Sequence, residues 1–187
     1  MSTLRVACVI PTYNGCQDLA RLLDSLEIQS APFDTLIVDS SSSDGTYELA
    51  LARCANVLRI DSRDFNHGGT RQLMVERYAD YDLYVFMTQD AYLEDAEGLA
   101  RIVAPFADPQ VGAVCGRQLP HLDASPLANH ARLFNYPPTS QVKSLADVPA
   151  LGIKTAFMSN SFSAYRREAL MQVGGFPNHV IPVSYTH

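Results

Sequence analysis

Three groups of polar residues that can bind a charged ligand each follow a short apolar run of the chain. They occupy residues 11–14, 39–46 and 88–91, and they include the carboxylates of Asp39 and Asp90. In open α/β sheets, ligands bind at the carboxyl ends of the strands. If the three runs are strands of one sheet, these groups form one site, which predicts binding of a nucleotide beside a carboxylate that can hold a metal ion.

The elements that must position these groups alternate along the first part of the chain. Near-continuous apolar runs predict buried strands, and apolar residues at helical spacing predict the helices between them. The predicted strands cover residues 4–10, 35–38, 57–60, 83–87 and 111–115. The predicted helices cover residues 17–28, a segment that begins with Asp44 as its N-cap, residues 70–78 and residues 95–106. This alternation predicts an α/β fold with a mostly parallel sheet, in which Pro11 ends the first strand because proline has no amide hydrogen.

The second part of the chain, after Gly116, is rich in proline and breaks this alternation. Residues 117–150 are predicted to form a long connection with one short helix at residues 127–134. A connection of this length inside a compact domain is usually functional or mobile. Residues 155–165 have a strand-like pattern, and the helix predicted at residues 166–173 is closed by two glycines.

Composition limits the classes of partner and location. The chain has 187 residues, a net charge of −6 and a pI of about 5.2, which argues against a nucleic acid as its main partner because phosphate backbones require clustered Lys and Arg. The four cysteines have neither zinc-site nor disulfide-framework spacing, which predicts a reducing cytoplasm. The sequence has no apolar stretch of about 18 residues, so we predict no transmembrane segment.

Five segments together resemble the family 2 inverting glycosyltransferases, which have the GT-A fold. Residues 9–14 and 38–46 are similar to the opening of that family. Residues 65–71 and 88–91 resemble its rhamnosyltransferase branch, and residues 174–176 match its late Gly-Gly-Phe turn. The resemblance covers nearly the whole chain and implies a single GT-A domain, a Rossmann-like, mostly parallel sheet with flanking helices.

The resemblance also implies an activity. An enzyme of this kind moves a sugar, such as rhamnose, from a nucleotide-diphosphate donor to a glycan or lipid-linked acceptor in polysaccharide biosynthesis. The donor would be dTDP-rhamnose or a UDP- or GDP-sugar. We expect a cytoplasmic protein, at the inner face of the membrane if it makes peripheral contact with lipid, and association into a homodimer is a further expectation. Residues 1–116 would be the nucleotide-sugar-binding half, and residues 117–187 part of the acceptor side.

The resemblance implies a set of donor-binding residues at the strand ends. These residues are Pro11, Thr12, Tyr13, Asn14, Asp39, Ser41, His67, Gly68, Arg71, Gln89 and Asp90. Thr12 and Tyr13 would line the base pocket, and Asp39 would accept a hydrogen bond from the base or the ribose. The alternative for Asp39 is a turn residue that only closes its loop.

Asp90 would hold Mg²⁺ or Mn²⁺ against the donor diphosphate. Thr88 stands where the family has a first carboxylate, so the protein would supply a single carboxylate and the donor would complete the site. The alternative for Asp90 is a helix cap. His67 and Gly68 are expected in a turn whose amides approach phosphate. Arg71 is expected to lie near the diphosphate or to pair with Asp90, or otherwise to lie on a solvated helix face.

The catalytic residue remains unassigned. In the family, an acidic general base follows the Gly-Gly-Phe turn, but no Asp or Glu follows Glu168 in this chain. We therefore expect a chain truncated before its base, which binds donor and turns over poorly. Two alternatives stay open, a non-catalytic nucleotide-sugar-binding module and a nucleotidyltransferase of related fold.

Overall fold

The protein forms one six-stranded sheet in a computed structural model that describes residues 4–120 and 124–178. The strands are β1 (Val6–Thr12), β2 (Asp34–Asp39), β3 (Asn56–Arg59), β4 (Leu83–Met87), β5 (Ala113–Cys115) and β6 (Phe162–Arg166). Their order in the sheet is β3-β2-β1-β4-β6-β5. β1 pairs in parallel with β2 and β4, and β2 pairs in parallel with β3. The mostly parallel α/β sheet is therefore confirmed.

The sixth strand departs from the sequence expectation. β6 is antiparallel to both β4 and β5, so it separates two strands that are consecutive in the chain. The strand-like pattern at residues 155–165 was too broad, because a 3₁₀ helix covers Gly152–Ala156 and β6 begins only at Phe162. The antiparallel direction of β6 brings its first residues to the carboxyl end of β4, where Phe162 pairs with Met87.

Within residues 4–120 and 124–178, seven α-helices cover or extend from this sheet. They are α1 (Cys16–Glu27), α2 (Thr46–Arg53), α3 (His67–Arg77), α4 (Gly98–Val103), α5 (Pro126–Asn135), α6 (Val148–Leu151) and α7 (Arg167–Gln172). Further 3₁₀ segments cover Ser62–Asp64, Ala104–Ala107 and Leu145–Asp147. The apolar face of α1, with Leu19, Leu22 and Leu26, packs on the sheet face that carries Cys8 and Ile10. The opposite sheet face, with Ala7 and Val9, packs against Met74 and Val75 of α3.

Pro11 does not end β1, which was a wrong expectation. The strand continues through Pro11 to Thr12, and Pro11 pairs with Val38 of β2. Pairing with β4 has already ended at Val9, so the missing amide hydrogen of Pro11 leaves no bond unmade on that side. The extension brings Thr12 into register with Asp39.

Two helix starts and one helix length also differ from the sequence expectations. Gly45, with φ of 94°, is the N-cap of α2, and Asp44 lies one residue earlier. Asp44 still accepts a hydrogen bond from the amide of Thr46 (3.1 Å). α3 begins at His67, three residues before the predicted start, and the helix expected at residues 95–106 is divided into α4 and a 3₁₀ turn.

The second part of the chain exposes many large apolar side chains, which are called here the exposed apolar surface around α5. α5 confirms the short helix expected there, and each of its residues is exposed. The most exposed large apolar side chains of this surface are Leu127, Phe134, Val142, Leu145 and Ile153. Within the described residues, no helix is both long enough and apolar enough to cross a membrane.

Candidate functional site

The carboxylate of Asp39 joins the loops that follow β1 and β2. Asp39 is fully buried, and its Oδ1 accepts hydrogen bonds from the Thr12 hydroxyl (3.1 Å) and the Ser42 hydroxyl (2.5 Å). Its Oδ2 accepts one from the Ser42 amide (2.9 Å). A buried carboxylate needs such partners, because an unpaired charge in the interior is costly. A nucleoside that bonds to Asp39 has to displace one of these donors or reach a remaining lone pair.

A second set of bonds connects the same two loops closer to solvent. The Asn14 amide donates to Ser42 Oγ, and the Ser43 amide donates to Asn14 Oδ1, both at 2.9 Å. Asn14 (φ of 45°) and Ser41 (φ of 63°) have left-handed backbone conformations that are uncommon for residues other than glycine. Strained backbone of this kind persists where the surrounding bonds hold it, and it concentrates at functional sites.

Arg59 is a neighbour of Asp39 that the sequence analysis missed. It is the last residue of β3 and is in register with Asp39, and its Nε lies 3.9 Å from Asp39 Oδ2. Its Nη2 donates to the Ser42 carbonyl (3.2 Å), and its guanidinium lies 4.3 Å from the ring centroid of Tyr47. Its place beside Asp39 depends on the parallel register of β2 and β3. No pattern in the sequence gives that register, so the sequence offered no signal for Arg59.

Gln89 joins the loop after β4 to the loop after β1. The Tyr13 amide donates to Gln89 Oε1 (2.8 Å), and Gln89 Nε2 donates to the Tyr13 carbonyl (2.9 Å). The next residue, Asp90, is exposed and has no hydrogen-bond or ion-pair partner among the residues that the structure describes. The three loops thus meet at one edge of the sheet, with Asp39 buried below it and the free carboxylate of Asp90 at its surface.

The segment at residues 67–69 is the first turn of α3, and the expectation of a turn outside the helix was wrong. Asn66 is the N-cap, and its Oδ1 accepts from the amides of Gly68 (3.0 Å) and Gly69 (2.8 Å). The carbonyl of Pro177 lies 1.9 Å from the place where a Cβ of residue 68 would stand. The absence of a side chain at Gly68 therefore serves packing against the chain itself.

Arg71 is buried, which excludes the solvated helix face proposed as its alternative. Its Nη1 donates to the His67 carbonyl (2.6 Å), and its Nε is buried without a hydrogen-bond partner among the described residues. No ion pair with Asp90 forms in the described part of the chain, so that expectation was also wrong. Burial lowers the pKa of Arg71, and burial together with the Arg71 cation lowers the pKa of His67.

The remaining predicted site residues lie around the same edge. Pro11 is partly buried in β1, the Tyr13 side chain is exposed, and the Ser41 hydroxyl donates to the carbonyl of Ile60 (2.7 Å). His67, at the start of α3, is largely exposed, but part of its imidazole is desolvated. The structure therefore brings Thr12 and Asp39 into direct contact and joins Tyr13 to Gln89. His67, Gly68 and Arg71 make no hydrogen bond or ion pair to these four residues within the described part of the chain.

The described residues contain no cluster of three His, Cys, Asp or Glu side chains that could hold a metal ion. Asp90 carries an exposed carboxylate at this edge of the sheet, without a partner among the described residues, and is next in sequence to Gln89, which two hydrogen bonds fix to Tyr13. This donor chemistry fits a hard cation that takes most of its oxygen ligands from a bound phosphate and water, and it does not fit a closed, all-protein site. The segment after Asn178, where the expectation of a missing base falls, lies outside the described residues.

The sheet and its polar carboxyl edge define an α/β domain of the class that binds ligands at strand ends. Residues 7–174 match the family described as Glycosyl transferase family 2, and the chain belongs to this family. The family expected from the sequence motifs is therefore confirmed.

Two curated relatives come from Salmonella. The chain is 51% identical over 180 residues to the O-antigen chain rhamnosyltransferase RfbN of Salmonella typhimurium strain LT2. This alignment covers 95% of this chain and 57% of RfbN. The chain is 46% identical over 175 residues to the O-antigen chain rhamnosyltransferase WbaN of Salmonella anatum, covering 92% of this chain and 56% of WbaN. Both belong to the branch indicated by residues 65–71 and 88–91. The chain spans a little over half the length of these relatives.

Solved structures confirm the GT-A fold. The mannosyltransferase PcManGT from Pyrobaculum calidifontis, solved with GDP-Man and Mn²⁺, superposes with a TM-score of 0.68 at 24% identity, covering 96% of this chain and 49% of PcManGT. TarS of S. aureus, residues 1–349, superposes with a TM-score of 0.67 at 18% identity, covering 96% of this chain and 52% of that chain. At these identities the likeness concerns the fold.

Proposed function

We propose that this chain carries the donor-binding site of a glycosyltransferase. The enzyme would move a sugar from a nucleotide-diphosphate donor to a glycan or lipid-linked acceptor, and rhamnose is the first candidate for that sugar. The pathway would be polysaccharide biosynthesis. The single observation that carries the proposal is the joining of three strand-end loops, through Thr12–Asp39 and Tyr13–Gln89, beside the Asp90 carboxylate, which no described residue contacts by a hydrogen bond or ion pair. Family membership and two rhamnosyltransferase relatives support it.

The proposed reaction exchanges one bond at the anomeric carbon of the sugar. An acceptor hydroxyl oxygen attacks that carbon from the face opposite the donor phosphate. The bond between carbon and phosphate oxygen breaks, and the nucleoside diphosphate leaves with the electron pair. The acceptor proton passes to a general base, and the configuration at the carbon inverts. The described residues would supply donor binding, and we assign the base to none of them.

Residues of the three loops would divide the donor between them. The exposed ring of Tyr13 would line the pocket for the base. The hydrogen bonds among Thr12, Asp39 and Ser42 would hold the loops around the nucleoside. Asp90 would hold Mg²⁺ or Mn²⁺. When bound, such a cation offsets the charge that develops on the leaving diphosphate.

Isothermal titration calorimetry with UDP, dTDP and GDP, each with and without Mn²⁺, tests the proposal. We expect one nucleoside diphosphate to bind preferentially and Mn²⁺ to strengthen that binding. Absence of binding to all three would contradict the proposal. Preference for a nucleoside triphosphate together with a sugar phosphate would favour a nucleotidyltransferase, which family membership already disfavours.

Transfer itself needs a separate measurement. The chain is incubated with the nucleotide sugar of the preferred base and a lipid-linked glycan acceptor, and release of nucleoside diphosphate is followed. Binding of donor without release would favour the second candidate, a non-catalytic nucleotide-sugar-binding module.

Location and assembly follow from the same proposal. A cytoplasmic protein that serves a lipid-linked acceptor would contact the inner face of the membrane, and the exposed apolar surface around α5 would take part in peripheral contact or in a homodimer. Sedimentation velocity at several protein concentrations tests the homodimer. Flotation with anionic vesicles tests the lipid contact.

A further inference from the structure

We propose that Gln89 is a positioning residue that sets the place of Tyr13 and thereby couples the metal-binding end of β4 to the nucleoside pocket. The inference rests on the proposed function. It differs from the sequence expectation, in which Gln89 was one of the residues that contact the donor.

The first support is the pattern of bonds made by the Gln89 amide. Its oxygen accepts from the Tyr13 amide (2.8 Å), and its nitrogen donates to the Tyr13 carbonyl (2.9 Å). The two bonds occupy both the N–H and the C=O of Tyr13, as the backbone of a neighbouring strand would. The Gln89 side chain therefore takes the place of backbone pairing between β1 and β4, which ends at Val9 and Phe86.

The second support is the fit of the surrounding loop. An added Cβ at Gly15 would lie 2.2 Å from Gln89 Nε2 and 2.6 Å from Gln89 Cδ, so the chain passes over the amide at a distance that only glycine permits. A flexible side chain could usually move away from such a Cβ. Here that movement would break both bonds to Tyr13.

The third support is the state of the residues on each side of this link. The Tyr13 side chain is 54% exposed, so packing does little to hold its ring. Asn14, which follows it, has a left-handed backbone. Asp90, the proposed metal ligand, follows Gln89 directly. A change at Asp90 when a metal–diphosphate binds therefore reaches Tyr13 through one side chain.

A double-mutant cycle tests the proposal in the full chain. Dissociation constants of the nucleoside diphosphate that the wild type binds best are measured with Mn²⁺ for Gln89→Ala, Tyr13→Ala and the double variant. We expect each single change to weaken binding about tenfold. If Gln89 acts through Tyr13, the double variant binds no more weakly than the weaker of the two single variants. Losses that multiply would mean that Gln89 acts on the ligand independently, and this would overturn the proposal.

Gln29→Ala is the matched control for the loss of a bridging amide. Gln29 lies at the other end of α1, where its Nε2 donates to Asp95 O (2.7 Å) and its Oε1 accepts from the Leu99 amide (2.9 Å). This variant should lower the melting temperature and leave nucleotide affinity unchanged. If Gln29→Ala and Gln89→Ala weaken binding equally, Gln89 has only a general structural role and the proposal fails.

Gly15→Ala supplies a second, independent variant. In the wild-type background it should lower both nucleotide affinity and melting temperature. In the Gln89→Ala background the clashing amide is absent, so the same change should have little further effect on either. An equal loss in both backgrounds would contradict the contact.

The proposed function and this inference can fail separately. If the wild type binds no nucleoside diphosphate, both are wrong. If the wild type binds and the losses from Gln89→Ala and Tyr13→Ala multiply, only the positioning role is wrong.

Discussion

The hydroxyl of Thr12 donates a hydrogen bond of 3.1 Å to the carboxylate of Asp39, which lies 27 positions later in the chain. Both side chains are buried, and each is the last residue of its strand. The bond therefore ties the carboxyl ends of β1 and β2 together beneath the proposed donor site. Because a charged acceptor in the interior depends on its donors, the bond should contribute measurably to stability.

Thr12→Val should lower the free energy of unfolding by about 1–3 kcal/mol, because a nearly isosteric side chain removes one donor from a buried carboxylate. Urea denaturation measures the change. Thr35→Val, also a strand position but with no hydrogen bond to its hydroxyl among the described residues, is the matched control and should change stability little. Equal effects of the two substitutions would contradict the role of the bond.

Asp90→Asn should remove most of the effect of Mn²⁺ on nucleoside diphosphate affinity while leaving stability unchanged, because the carboxylate is exposed and has no partner among the described residues. Calorimetry with and without Mn²⁺ measures the effect. Asp80→Asn is the control, since Asp80 is also exposed but precedes β4 and so lies at the opposite edge of the sheet. An unchanged Mn²⁺ response in Asp90→Asn would remove Asp90 from the metal site.

Gly68→Ala should destabilise the protein by about 1–3 kcal/mol, because the new Cβ would overlap a backbone carbonyl that cannot easily move. That carbonyl, of Pro177, lies 1.9 Å from the ideal Cβ position. Gly69→Ala is the control in the same helical turn. Its Cβ would meet atoms no closer than 3.5 Å, and helix propensity should make this change neutral or stabilising by about 0.5–1 kcal/mol. Chemical denaturation of both variants checks the difference, and a stable Gly68→Ala would refute the close contact.

The pKa of His67 is lowered, first by burial and second by the cation of Arg71. The unfolded chain therefore binds a proton more readily than the folded protein, and this group destabilises the fold as pH falls through the unfolded pKa of about 6.5. Between about pH 5 and about pH 7.5, the free energy of unfolding should rise more in the wild type than in His67→Gln. Denaturation curves at both pH values give the comparison. Identical pH dependence in the two proteins would contradict the lowered pKa.

The strands and their carboxyl-end loops could be predicted because burial on both faces leaves a strong local signal. β4 has the predicted bounds, Leu83–Met87, and β1 and β2 differ from the predicted bounds by only one or two residues at each end. The start of α3 could not be predicted in the same way. His67, Gly68 and Gly69 are poor helix formers. They become helical because the Asn66 side chain accepts hydrogen bonds from two of their amides and because Pro177 packs against them.

The order of the last two strands was also beyond the local pattern. A strand that follows a long connection can pair at several positions in a sheet, and β6 pairs between β4 and β5 because its antiparallel register buries Ser163 and Ala164 there. Arg71 shows the same limit. Its helical position was predicted, but its burial without a carboxylate partner in the described ranges was not.

The sequence by itself determined the family, the alternation of strands and helices, and the positions at which polar residues end the buried strands. Each of these is encoded by neighbouring residues, through apolar periodicity and short motifs. Only the tertiary structure decided which of those polar residues meet. The Thr12–Asp39 and Tyr13–Gln89 bonds join residues 27 and 76 positions apart. Contacts over such separations depend on strand order and register, which arise when the whole sheet packs and which no local pattern contains.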